Sequence, residues 1–158
     1  MSETKKSFSE FYDMKVKDIM QESPETSPCI EEQTPSQQIF SLLLTNDCLW
    51  VVESKDPRRL IGVITESDTL PLLSPPITSL QTFDKPDARS LQYGEDLTAH
   101  EIMSKNPVTA TLDETLRDVL IKMKTHKLKK LPVVNQDGVF LGDISLHQFI
   151  ETYCKEIA

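Results

Sequence analysis

The stretch LIGVITESD, Leu60 to Asp68, has a counterpart about 80 residues later in FLGDISLHQ, Phe140 to Gln148. Both stretches keep a glycine, an isoleucine and a hydroxyl residue, whereas the carboxylate of Asp68 is replaced by the amide of Gln148. Each begins with an apolar run typical of a strand and ends in a T/S-x-x-D/Q pattern that begins a helix. A strand followed by a helix, present twice, indicates an internally repeated fold.

Two further pairs of segments occur in the same order at nearly the same spacing. KVKDIM (Lys15 to Met20) corresponds to TAHEIM (Thr98 to Met103), and LWVVE (Leu49 to Glu53) corresponds to LPVVN (Leu131 to Asn135). Three ordered pairs predict two homologous repeats rather than a chance match. We therefore divide the chain into an N-terminal leader (1–14), repeat 1 (15–73), a proline-containing linker (74–96) and repeat 2 (97–158).

Each repeat is predicted to have the order β-α-β-β-α, and its first strand is the brief extended segment ETSPCI (25–30) in repeat 1 and PVTAT (107–111) in repeat 2. Thr34 is the expected N-cap of the first large helix in repeat 1, with Pro35 in its first turn and Gln37 completing a capping box; Asp113 is the expected N-cap in repeat 2. The two strands that follow read as hairpins, and Asp137-Gly138 is a strong turn signal. About 55 residues are too few for a core of their own. The expected fold is therefore α+β, with the two repeats packed sheet to sheet about a pseudo-twofold axis and a ligand cleft between them.

Composition and charge exclude several classes of protein. The chain has 158 residues, 38% of them hydrophobic, and a formal net charge of -8, which disfavours broad binding to nucleic acid. No apolar run approaches the roughly 20 residues of a membrane span, and the N-terminus lacks the apolar core of a signal peptide. The three cysteines and three histidines have no metal-ligand spacing. A cytoplasmic protein without a metal site, and with neither nucleic-acid nor membrane partners, is expected.

The ordered set VKDIM, GVITESD, HEIM and KKLPVVNQDGVFLG resembles the cystathionine β-synthase (CBS) domain pair, also called the Bateman module. The resemblance covers Lys15 to Ile157, so the chain looks like a free-standing CBS protein. It implies a regulatory sensor that binds an adenine-containing ligand, such as AMP, ADP, ATP or S-adenosyl methionine, between the repeats. It also implies that the chain is not an enzyme.

The resemblance also implies which residues bind the ligand. Thr65 and Asp68 match the family's hydroxyl and carboxylate, which grip the ribose and the nearby phosphate. The other repeat is expected to contribute its first-strand residues and the basic residues before LPVV. The candidate ligand-binding residues are Thr65, Asp68, Val108, Thr109, Lys129, Lys130, Leu131, Pro132 and Ser145.

A second interpretation of the same motif is purely structural, because Thr-x-x-Asp and Ser-x-x-Gln both cap helices. For Ser145 and Gln148 only the cap is expected, since an amide lacks the charge of the ribose contact. The pocket that would belong to Ser145 borrows positions near Cys29 and Ile30, then Asp47 and Cys48, where an acid would repel a phosphate. One working ligand site per chain is predicted.

Two functions remain open from the sequence. The first is a nucleotide-responsive regulatory module; the alternative is a ligand-free module that dimerises or docks on a regulated protein. A homodimer formed through helices is implied by the resemblance, with apolar faces near Phe40, Leu43, Leu120 and Met123. Three lysines of the basic run KMKTHKLKK (Lys122, Lys124 and Lys127) are expected on a solvated helix face and its exit turn. Asp143 is expected either at the rim of the pocket that would belong to Ser145 or on an exposed face, and the exposed face is favoured.

Overall fold

The computed structural model describes residues 6–22, 27–75 and 96–158 of the chain. The predicted linker therefore lies outside the described residues except at its ends. The elements in chain order are α1 (Phe8–Asp13), α2 (Val16–Glu22), β1 (Cys29–Glu31), α3 (Ser36–Leu43), β2 (Cys48–Val52), β3 (Leu60–Thr65), α4 (Glu66–Leu73), α5 (Ala99–Ile102), β4 (Ser104–Lys105), α6 (Leu116–His126), β5 (Lys130–Val134), β6 (Phe140–Ser145) and α7 (Leu146–Glu156). This mixture of helices and strands confirms the predicted α+β class.

The described residues form two compact units that do not coincide with the two sequence repeats. The first unit combines residues 6–22 with 107–158, and the second comprises 27–75 and 96–106. Helix α2 of repeat 1 therefore belongs with the hairpin of repeat 2, and α5 of repeat 2 belongs with the sheet of repeat 1. Each repeat gives its first helix to the other repeat's unit. The predicted sheet-to-sheet arrangement of the repeats stays a prediction.

Backbone hydrogen bonds fix this exchange in the same way in both units. In the first unit Val16 N donates to Glu114 O at 3.0 Å and Leu116 N donates to Met14 O at 2.8 Å. In the second unit Ala99 N donates to Thr34 O at 2.9 Å. The donors are helix-start amides that no intrahelical carbonyl satisfies. The segment before each short helix thus crosses the start of the large helix of the other repeat.

The crossing also moves the helix starts away from the predicted caps. Helix α3 begins at Ser36 after Pro35, and Thr34 instead donates its N–H to Glu31 O at 3.1 Å. Helix α6 begins after Thr115, whose hydroxyl accepts from Asp118 N at 3.3 Å. The caps predicted at Thr34 and Asp113 are therefore wrong. Because Pro35 and Thr115 form β-bridges with the crossing segments, each helix begins only after its bridge.

The two sheets differ at their first strand. In the second unit the strand order is β1-β2-β3-β4, with β1 and β2 parallel and the other pairs antiparallel. In the first unit β5 and β6 form an antiparallel hairpin, and the segment predicted as a strand, PVTAT, makes one parallel bridge from Ala110 to Val133. Pro132 lacks the N–H that would extend this ladder. The strand predicted to open repeat 2 is reduced to a single bridge for that reason.

The glycine kept in both repeats lies against a methionine from the exchanged helix. A Cβ added at Gly62 would lie 2.8 Å from Met103 Cγ and 2.9 Å from Met103 Cβ, and one added at Gly142 would lie 2.7 Å from Met20 Cε. Met20 and Met103 are the last residues of the matched KVKDIM and TAHEIM segments. The glycine and the methionine that recur in both repeats therefore pack against each other, once in each unit.

Candidate functional site

Thr65 and Asp68 lie at the junction between β3 and α4 and cap that helix. Asp68 Oδ2 accepts from Thr65 N at 2.8 Å, which closes a capping box at the helix start. Asp68 Oδ1 accepts from the hydroxyl of Ser104 at 2.9 Å, so the carboxylate also fixes the residue that begins β4. The capping role of the motif is confirmed. A carboxylate has about four acceptor positions. These two bonds and a longer one from the Thr65 hydroxyl at 3.4 Å occupy three of them, which leaves one for a predicted ribose hydroxyl.

Ser145 and Gln148 form the equivalent cap in the first unit. Gln148 Oε1 accepts from Ser145 N at 2.8 Å, and Ser145 Oγ accepts from Gln148 N at 3.3 Å. Gln148 is only 2% exposed. The capping box predicted for this stretch is confirmed. The amide therefore reproduces the structural role of Asp68 without placing a negative charge at the helix start.

The remaining candidate residues cluster around β5 in the first unit. Lys130 is the cross-strand partner of Ser145, and Leu146 N donates to Lys129 O at 2.8 Å. Thr109 precedes Ala110, whose N–H donates to Pro132 O at 2.9 Å. The structure thus brings together seven of the nine candidates, namely Val108, Thr109, Lys129, Lys130, Leu131, Pro132 and Ser145. Thr65 and Asp68 lie in the second unit, and a single pocket formed by both groups stays a prediction.

Exposure differs among the residues of this cluster. Lys129 is exposed, whereas Val108, Thr109 and Lys130 are half-buried. The Leu131 side chain is fully buried in the hydrophobic core of the first unit. Only the backbone of Leu131 is therefore accessible for the predicted ligand contact. Lys129 and Lys130 are predicted to contact the ligand through their side chains.

Lys122 does not have the solvated position predicted for it. Its ammonium lies 2.7 Å and 2.9 Å from the two carboxylate oxygens of Glu114 and donates to the carbonyl of Thr109 at 2.9 Å. Lys124 and Lys127 are exposed as predicted. The prediction for Lys122 was wrong because the lysines of this run look equally solvated in the sequence. Only the fold brings Glu114 and Thr109 next to Lys122.

Asp143 was predicted on an exposed face, and the structure contradicts this. It lies in β6 opposite Pro132 and is only 3% exposed. Its neighbour Ile144 pairs with Leu131 in the core of the first unit. Since side chains alternate along a strand, Asp143 points to the other face of the hairpin. The structure shows that this second face of the hairpin is also buried at Asp143. Alternation along the strand does not by itself predict burial on both faces.

The positions predicted for a second pocket lie in the second unit. Ile30 is in its core, Asp47 is exposed, and Cys48 is buried beside its cross-strand partner Thr65. Burial raises the pKa of the Cys29 thiol; the charge of Arg58 opposes this shift and that of Glu31 adds to it. A neutral thiol and a solvated acid offer a phosphate no positive charge.

An apolar groove of about 520 Å³ lies between α3 and α4. It includes Phe40 and Leu43, which the sequence predicted on an apolar face, and residues of α4 that the sequence did not predict there. Three leucines in it are unusually exposed: Leu44 at 85%, Leu70 at 67% and Leu73 at 64%. The predicted contact residues Leu43 and Met123 are instead largely buried in the unit cores. Leu70 and Leu73 are three positions apart, a spacing that places them on one face of α4, whereas Leu72 is buried. This spacing is the sequence signal for the groove. The lining residues are Phe40, Leu43, Leu44, Glu66, Ser67, Thr69, Leu70 and Leu73.

Metal sites and membrane-spanning helices are both absent from residues 6–22, 27–75 and 96–158. These ranges contain no group of three or more His, Cys, Asp or Glu side chains arranged to hold a metal ion. Nor do they contain a helix that is both long and apolar enough to cross a membrane.

Solved structures share this fold. A CBS domain-containing protein from Thermotoga maritima matches with a TM-score of 0.66 and 24% identity, covering 91% of this chain and 96% of that one. A CBS domain pair in complex with 5′-methylthioadenosine and S-adenosyl-L-methionine matches with a TM-score of 0.59 and 22% identity, covering 89% and 99%. CBSX2 in complex with AMP matches with a TM-score of 0.66 and 20% identity, covering 89% and 96%. These identities show the fold alone.

Comparisons of sequence, above all a family model, show the family. A homoserine O-acetyltransferase from Methanococcus vannielii is 26% identical over 123 residues, which are 78% of this chain and 22% of that protein. The chain spans less than a quarter of the length of the curated relatives it matches. The CBS domain model matches residues 16–74 and 99–154. Because both repeats match, the chain belongs to the CBS domain family.

Proposed function

We propose that this chain is a non-catalytic regulatory module that binds one adenosyl ligand, of the class of AMP, ADP, ATP or S-adenosyl methionine. The observation that carries the proposal is the difference between the two helix caps. Both hold their helix, but only the cap of α4 presents a carboxylate, at Asp68. AMP in CBSX2 and S-adenosyl-L-methionine in another CBS domain pair support the ligand class.

The chemistry of the proposed site follows from the residue types. Asp68 accepts a hydrogen bond from a ribose hydroxyl, and a charged acceptor makes such a bond stronger than a neutral one does. Lys129 and Lys130 contact phosphates as mobile point charges. The net charge of -8 repels a polyphosphate elsewhere on the chain. The lysines would therefore supply the local attraction that the rest of the molecule lacks.

Calorimetric titration of AMP, ADP, ATP and S-adenosyl methionine into the wild type and Asp68→Asn tests the proposal. Asparagine keeps an acceptor for the Thr65 amide but loses the charge, so helix α4 should persist. We expect one ligand per wild-type chain and affinity about tenfold or more weaker in the variant, because a hydrogen bond to a charged group contributes roughly 1.5–3 kcal/mol.

Gln148→Asp is the matched control, because it places a carboxylate at the equivalent cap. It should add no second ligand while Asp47 remains in the chain. Binding of none of these four ligands to the wild type would count against the sensor function. A second equivalent in Gln148→Asp would show that the second pocket had been misjudged.

We also propose that the groove between α3 and α4 binds the same groove of a second copy, giving a homodimer. The support is its apolar lining and the exposure of Leu44, Leu70 and Leu73, which water disfavours. A groove that presents the same leucines on both partners can be self-complementary, as a twofold dimer requires. This proposal also favours the alternative function, in which the module acts through association.

Leu70→Lys should convert the dimer to a monomer by burying a charge in the interface. Sedimentation velocity over a range of protein concentrations measures the change. Leu141→Lys is the control, since Leu141 is 43% exposed on β6 and outside the groove. A wild type that is monomeric at every concentration would leave the groove to a different regulated protein and remove the homodimer proposal.

A further inference from the structure

Lys122 connects three parts of the first unit at one point. From α6 its ammonium reaches both carboxylate oxygens of Glu114 and the carbonyl of Thr109, all within 2.9 Å. The ion pair is partly shielded, with side-chain exposures of 34% for Lys122 and 22% for Glu114. Glu114 is itself fixed, because its backbone carbonyl accepts from Val16 N at 3.0 Å. The ammonium is therefore held by an anchored partner.

The Thr109 carbonyl lies where β-sheet support is reduced. In the second unit Trp50 N donates to Pro28 O at 2.9 Å, next to the strand pairing of Ile30 with Val51. The equivalent donor in the first unit would be Pro132, which has no N–H. Ala110 makes the ladder bonds, and the residues before it receive none from Pro132. The missing bond would have been accepted by the Val108 carbonyl, so Lys122 holds the neighbouring residue, Thr109, and does not replace that bond.

Repeat 1 has no equivalent of this charged group. The strand pairing of Ile30 with Val51 matches the bridge of Ala110 with Val133, so Cys29 corresponds to Thr109. On the same alignment Leu42 corresponds to Lys122 and Thr34 to Glu114. The equivalent residues in repeat 1 carry no charge pair. The Lys122 contact therefore occurs only in the half predicted to serve the single ligand site.

We propose that Lys122, oriented by Glu114, is a positioning residue of the adenosyl-ligand site. It holds the backbone of Val108 and Thr109 in place so that this segment presents a fixed surface to the ligand. Lys122 acts through Thr109 and does not itself contact the ligand. This inference rests on the proposed function, because it assigns a supporting residue to the same site.

The test uses the full chain, with AMP and S-adenosyl methionine as probes. Lys122→Met removes the ammonium while keeping much of the aliphatic stem, Lys122→Arg keeps a charged donor, and Lys124→Met removes an exposed lysine of the same helix. Calorimetry gives each affinity, and hydrogen exchange over residues 107–111 reports the segment. We expect Lys122→Met to weaken binding about tenfold and to accelerate exchange there. Lys122→Arg should restore most of both, and Lys124→Met should change neither.

Three outcomes would overturn the inference, and they separate it from the proposed function. Equal affinity of the wild type and Lys122→Met removes the positioning role and leaves the ligand site intact. Weaker binding that follows a uniform loss of protection across the first unit, without restoration by arginine, assigns Lys122 to stability alone. A wild type that binds neither probe removes the proposed function and this inference together.

Discussion

Ile19→Ala is expected to loosen residues 107–158 and to leave residues 27–75 protected, although Ile19 belongs to repeat 1 in sequence. Ile19 is 1% exposed and packs in the core that contains Leu131, Val133 and Ile144. Truncating a fully buried isoleucine removes its contacts and leaves a cavity. We expect a loss of about 2–5 kcal/mol in the free energy of unfolding of the first unit.

Ile102→Ala is the mirror variant. Ile102 is 2% exposed and lies in the core of the second unit with Leu49 and Ile64. It should loosen residues 27–75, although it belongs to repeat 2. Native-state hydrogen exchange in increasing urea, read by peptide, locates each loss. If each variant loosened its own sequence repeat, the observed exchange of helices between repeats would be contradicted.

Gly62→Ala is expected to destabilise the second unit by about 3 kcal/mol, at the upper end of the cost of overpacking. The added Cβ would lie 2.9 Å from Met103 Cβ, which is attached directly to the backbone. A flexible side-chain end can move away cheaply, but Met103 Cβ moves only with its backbone. Urea unfolding of the full chain measures the loss in the free energy of unfolding.

Gly142→Ala provides a comparison with a different physical cause. Its added Cβ meets only the terminal methyl of Met20, but Gly142 has a φ of 154°, which side-chain-bearing residues rarely adopt. We expect a loss of about 1–3 kcal/mol from backbone strain. The two alanine substitutions are thus expected to destabilise the protein for different reasons. A second substitution, at the methionine beside each glycine, distinguishes these reasons.

Double-mutant cycles distinguish steric contact from backbone strain. Met103→Ala should make Gly62→Ala less costly than it is in the wild type, although not free, because it removes Met103 Sδ and Cγ and keeps Cβ. Met20→Ala should leave the cost of Gly142→Ala nearly unchanged, because the strain is in the backbone. Additive energies at Gly62 and Met103 would show that this contact does not explain why both repeats keep the glycine and the methionine.

Several features of the site were predictable because they depend on residues close in sequence. The cap of Ser145 by Gln148 needs only the three-residue spacing of its partners. The hairpin turn at Asp137-Gly138 likewise follows from a dipeptide, and Gly138 has the positive φ of 81° that such turns use. Lys124 and Lys127 lie in solvent as expected for an isolated helix face. Local chemistry was sufficient in each case.

Features that depend on distant residues were missed. The helix starts moved because segments beginning at Lys15 and Thr98 cross them as β-bridges. Lys122 is half-buried because Glu114 and Thr109 are brought beside it by the loop before α6. Asp143 is buried on a hairpin face that strand alternation predicts as the polar one. No local pattern contains this information.

By itself the sequence determined that the chain carries two repeats, the family these repeats resemble, and the chemical difference between the caps at Asp68 and Gln148. Repeated motifs and helix caps depend on residues a few positions apart, so they can be recognised without knowledge of the fold. Only the tertiary structure decided that the first helix of each repeat completes the other's unit and that Lys122 holds Thr109. The exchanged helices join residues far apart in the chain, and they pack in this way because a repeat of about 55 residues cannot bury enough apolar surface alone. The Lys122 contact lies within repeat 2, but it depends on how the loop before α6 folds back.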